Sequence, residues 1–76
     1  MTTPKPGLYQ KFKVDRIVGN DKPEEEFFVM SPSHDPIARM AINLYASIAE
    51  RDGLTELAND LRDGLLRLAQ GGRFYP

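Results

Sequence analysis

The chain has 76 residues, no cysteine, one histidine and a formal charge of −1, from 10 Lys and Arg against 11 Asp and Glu. This excludes disulfides, thiolate metal sites and any cluster of histidine ligands within one chain, and it gives no global attraction for nucleic acid or anionic lipid. A chain this short makes one domain and buries a small share of its surface, so oligomerisation is the staple that remains.

No apolar run approaches the ~20 residues of a membrane span. The opening residues 1–7 lack a signal-peptide core, and a soluble cytoplasmic protein is expected. Pro4, Pro6 and Gly7 make that opening a flexible arm. In residues 8–18, Tyr9, Phe12, Val14, Ile17 and Val18 are strand formers. Phe12 and Val14 alternate with Lys11, Lys13 and Asp15. The alternation fails at Arg16-Ile17-Val18, which implies a bulge or an end buried on both faces. Gly19, Asn20 and Asp21 are turn formers, and Pro23 blocks a central strand. Residues 27–30 form a second short strand, apolar on both faces. The pair reads as an antiparallel β-hairpin, which must lie on helices or meet another chain to be stable.

Residues 35–51 read as a helix. Asp35 can cap its first amides, Pro36 suits the first helical position, and Gly53 can take the left-handed conformation just past its end. At about 100° per residue, Arg39, Asn43, Ser47, Glu50 and Arg51 share one polar arc. The rest is apolar and splits into two faces. One carries Ile37, Met40, Ala41, Leu44 and Ile48; the other carries Ala38, Ile42, Tyr45, Ala46 and Ala49. A helix covered on one side shows a single apolar stripe, so this one needs cover on two. The alanine-rich face suits close helix approach, and Ala38, Ile42, Tyr45 and Ala49 are the candidate subunit or partner contact.

Residues 54–69 read as a second helix, with Leu54, Leu57, Ala58, Leu61, Leu65 and Leu68 on one face. The short link through Asp52-Gly53 makes the helices antiparallel neighbours. Asp63 and Arg67 are spaced as an i,i+4 ion pair. Gly71-Gly72 ends the helix, and Phe74 and Tyr75 in the tail should dock, on the chain's own helices or on a neighbour. The expected fold is α+β: a β-hairpin followed by an antiparallel two-helix hairpin (ββαα) over residues 8–70, between the arm at 1–7 and an aromatic tail at 71–76.

The pattern offers no catalytic set. Ser31, Ser33, His34 and Asp35 resemble a triad in letters only, since triads converge in space rather than along a turn. Glu24, Glu25 and Glu26 lie in a polar loop with nothing apolar to raise a pKa. There is no phosphate loop, because Gly71-Gly72 follows a helix rather than opening one. A non-enzymatic protein without metal or cofactor is expected. Cations near the start of the first helix, His34 and Arg39, with Lys11, Lys13 and Arg16 from the hairpin, are candidate ligand-binding residues, and in an oligomer they could frame a phosphate pocket.

Lys11 to Arg16, the Glu26-Phe27-Phe28-Val29-Met30 strand, Asp35-Pro36-Ile37-Ala38-Arg39, Tyr45-Ala46 and Glu56-Leu57-Ala58-Asn59-Asp60-Leu61 occur in an order that resembles small uncharacterised proteins encoded by bacteriophages and prophages. The likeness covers most of residues 11–66. It departs at Phe27, where Tyr is usual, and at Met30, where Leu is usual. Val18-Gly19 also replaces the usual aspartate-glycine turn. The resemblance implies a phage accessory protein in the cytoplasm of an infected bacterial host, and carries no assigned functional residues. The resulting expectation is an anti-defence binding protein that sequesters a small signalling nucleotide between subunits of a homo-oligomer. The alternative is a protein-protein interaction module that docks on a host or phage protein. Membrane association is excluded and a nucleic-acid partner disfavoured.

Overall fold

The structure, a computed structural model, describes residues 8, 10–19 and 24–76. The expected arm at 1–7, Tyr9 and the expected turn at 20–23 lie outside the described residues. Among the described residues, two helices make up the regular structure: α1, Pro36–Arg51, and α2, Thr55–Ala69.

Both helices begin and end for local reasons. Asp35 has an extended backbone and its Oδ1 accepts from the Ile37 amide at 2.9 Å, while Pro36 takes the first position. This cap satisfies a first-turn donor that no carbonyl can reach. At the other end Gly53 has φ +89°, the Leu54 amide donates to the Ala49 carbonyl at 2.8 Å, and the Gly53 amide donates to Glu50 at 3.0 Å. These are the paired reverse bonds of a Schellman motif. The same motif ends α2: Gly71 has φ +84°, Gly72 donates to Arg67 at 2.7 Å and Gly71 to Leu68 at 3.1 Å.

The helices lie against each other along a seam of small side chains. Ala46 and Ala58 are wholly buried, Ala49 nearly so, and Leu61 packs on them. Ala38 and Ile42 extend the buried line along α1. Across the seam's rim, Arg62 donates to both carboxylate oxygens of Glu50, at 2.9 and 3.3 Å. Alanines let the helices approach closely but bury little area each, and among the described residues no large side chain is fully buried.

The helical hairpin is as expected; the β-hairpin is not. Among the described residues there is no β-strand, and the fold is two-helical rather than ββαα. No backbone hydrogen bond joins described residues of 8–19 to those of 24–30. What links them is the Arg16–Glu25 ion pair at 3.3 Å. The physical reason is cover. A two-stranded ribbon gains stability only when one face is buried, and here Phe12, Phe28 and Val29 stay exposed, with Ile17 97% exposed.

Packing also decides which apolar face of α1 is used within the chain. Ala38, Ile42 and Ala49, expected at a subunit contact, are buried within the chain, Ala49 in the cluster with Ala46 and Ala58 of α2, and only Tyr45 of those four stays exposed. Small residues win this seam because Ala58 of α2 can reach them without a gap. The exposed stripe is the other one: Ile37 at 76%, Met40 at 74%, Leu44 at 62% and Ile48 at 41%. Among the described residues no helix is long and apolar enough to cross a membrane.

Candidate functional site

The antiparallel hairpin brings the start of α1 beside the end of α2. The Schellman turn at Gly71-Gly72 then sends the tail back over the last turns of α2. Two features hold it there. Gly64, buried in mid-helix, leaves a notch that Phe74 fills, and a Cβ at Gly64 would stand 2.7 Å from both Phe74 Cδ1 and the Phe74 carbonyl oxygen. Arg67 clamps the backbone, its Nε donating to the Arg73 carbonyl at 3.2 Å and its Nη2 to that of Phe74 at 2.7 Å. Arg67 therefore serves the tail rather than the expected pair with Asp63. The Tyr75 ring stands edge-on to Phe74, centroids 5.4 Å apart and planes at 85°, and remains largely exposed.

An open cleft of about 490 Å³ lies between the docked tail and the start of α1. Its lining comes from two parts of the chain: Ser33, His34 and Arg39 at the start of α1, and Leu68 with residues 71–75 at the end of α2 and in the tail. Its ionisable side chains are His34, Arg39, Arg73 and Tyr75, with no carboxylate among the lining residues. Arg39 is fixed in place, donating from Nε to the Pro32 carbonyl at 2.7 Å and from Nη2 to that of Ser33 at 2.8 Å. It ties the turn before α1 to the helix and keeps its charge beside the cleft.

Of the five cations expected at a ligand site, the structure brings together His34 and Arg39. Lys11, Lys13 and Arg16 do not line the cleft, and Arg16 is engaged with Glu25. Sequence reasoning missed Arg73, Leu68 and the Gly71-Gly72 backbone. The available signal was the glycine pair: a Schellman motif reverses the chain direction and lays the next residues over the preceding turns. Of the two tail aromatics expected to dock on this chain or a neighbour, Phe74 sits on this chain's α2 at Gly64 and Tyr75 stands against Phe74, largely exposed. A second hollow of about 370 Å³ on the far side of the tail is lined by Leu57, Leu61, Asp60, Asp63, Arg67 and residues 74–76.

The resolved electrostatic shifts belong to the hairpin rim. Hydrogen bonding and charge from Arg62 hold the Glu50 carboxyl below the ordinary glutamate range, and the same bond pushes Arg62 further up. Among the described residues no group of three or more His, Cys, Asp or Glu side chains is placed to hold a metal ion. Comparison with known proteins finds no match: no family model, curated protein or solved structure is significantly similar to the chain.

Proposed function

We propose that this is a non-enzymatic binding protein that works as a homo-oligomer, with the exposed face of α1 as its subunit contact. The observation that carries this is the stripe of Ile37, Met40, Leu44 and Ile48, uncovered within the chain. It replaces the alanine-rich face in that role, because the alanines are spent on α2.

The occupant is a second copy, argued from the continuity of the stripe: Ile37, Met40, Leu44 and Ile48 are all exposed along one face of α1. A face that binds its own copy is self-complementary by symmetry and needs no partner of matching charge. Likeness of the motifs to small phage-encoded proteins supports an accessory role inside an infected cell, exerted by occupying a ligand or partner. Solution mass tests the proposal: a multiple of the chain mass supports it, and a folded monomer contradicts it.

A further inference from the structure

The cleft between the tail and the start of α1 combines three features in one chain. Its charge is one-signed: Arg39 and Arg73 line it, with His34 and without an acidic side chain, although the whole protein is slightly acidic. It has an exposed aromatic ring, Tyr75, braced edge-on by Phe74. Its volume of about 490 Å³ falls in the usual range for small-ligand sites, roughly 300–1,000 Å³.

We propose that this cleft binds a mononucleotide-sized ligand carrying a phosphate and a planar base. Arg39 and Arg73 both line the cleft, so a phosphate there would be attracted by two guanidinium charges. His34 adds a donor from the turn before α1. Tyr75 offers a face on which a base can stack, an interaction that tolerates different bases. Leu68 adds an apolar side chain to the lining.

The site is conditional on the docked tail. Arg73 and Tyr75 reach the cleft because Phe74 fills the Gly64 notch and Arg67 holds the two tail carbonyls. Ligand binding and tail docking are therefore linked: whatever frees the tail dismantles one wall of the site. The inference extends the binding role proposed above but does not use the subunit contact. A monomer that binds nucleotides would refute that contact and leave this cleft intact.

The test titrates the full chain with AMP, GMP, CMP and UMP, following amide and ring resonances by NMR, with adenosine and inorganic phosphate as the two halves. The expected result is saturable binding of at least one monophosphate, with shifts centred on His34, Arg73 and Tyr75. Adenosine and phosphate should each bind at least tenfold more weakly than the best monophosphate. Arg73→Ala and Gly64→Ala should each weaken binding at least tenfold while circular dichroism shows the helices intact. Lys11→Ala and Lys13→Ala should leave it unchanged. No response to any monophosphate at millimolar concentration would overturn the proposal. So would full binding in Arg73→Ala, or phosphate binding as tightly as the nucleotides.

Discussion

Gly64 and Phe74 fit each other so closely that a single methyl cannot be added between them: a Cβ on Gly64 would lie 2.7 Å from the Phe74 ring and equally close to its carbonyl oxygen. Rotating the ring relieves only the first clash; the second is with backbone. Gly64→Ala should therefore raise helix propensity by up to ~1 kcal/mol and still eject the tail. The readout is tryptic cleavage after Arg73, which should be much faster in the variant while helix content holds or rises.

Arg67 is the second fastening of the tail, through two carbonyls. A lysine presents a point charge and cannot span both in the same fork geometry. Arg67→Lys should free the tail partly and Arg67→Met more fully, at a cost of about 1–2 kcal/mol in thermal or urea unfolding. Asp63→Asn should be close to silent, because Arg67 is not committed to it. Equal losses in Asp63→Asn and Arg67→Met would show that the i,i+4 pair carries the stability instead.

The turn before α1 depends on Arg39 in a comparable way. With its Nε and Nη2 on the Pro32 and Ser33 carbonyls, Arg39→Ala should cost roughly 1–3 kcal/mol. Hydrogen exchange should rise around residues 32–38 before it rises in α2. Uniform acceleration across both helices would contradict this local role.

How much of the fold can be read along the chain depends on the range of each interaction. Asp35-Pro36, Gly53 and Gly71 mark helix ends because capping is decided within a few residues. The choice between the two apolar faces of α1 is not readable, since both satisfy helical periodicity. It depends on Ala58, which is distant in sequence and small enough to admit Ala46 and Ala49. The expected strands fail for a related reason. Phe12, Val14 and residues 27–30 have the side chains of strands, but pairing also needs a covered face, which local composition does not supply. The candidate site is half legible: His34 and Arg39 stand near a helix start in sequence, whereas Arg73 joins them only once the tail has docked. Arg39, Arg62 and Arg67 look alike in sequence; only the folded hairpin shows that one holds a turn, one an opposite carboxylate and one the tail.

Acid should weaken the hairpin through Glu50. Its carboxyl is depressed in the folded state by the hydrogen bond and charge of Arg62, so the folded protein favours the ionised form. That contribution is present above the unfolded value, about 4.3 for glutamate, and is lost as pH falls through it to the folded-state value. Arg62 remains charged throughout, and the pair is exposed, so the effect is small and screened by salt. Urea midpoints should drop between about pH 5 and pH 3 by more in the wild type than in Glu50→Gln, with the gap narrowing at high salt.

The most direct test of the central claim is sedimentation equilibrium over a concentration series, comparing the wild-type chain with Leu44→Asp. Leu44 stands in the middle of the uncovered stripe and is 62% exposed, so a carboxylate there costs the isolated chain little. The account predicts a wild-type mass at a multiple of 8.6 kDa that falls to the single-chain value in the variant, with helicity retained. A wild-type chain that is helical and monomeric at every concentration, or a variant that associates as the wild type does, would contradict it.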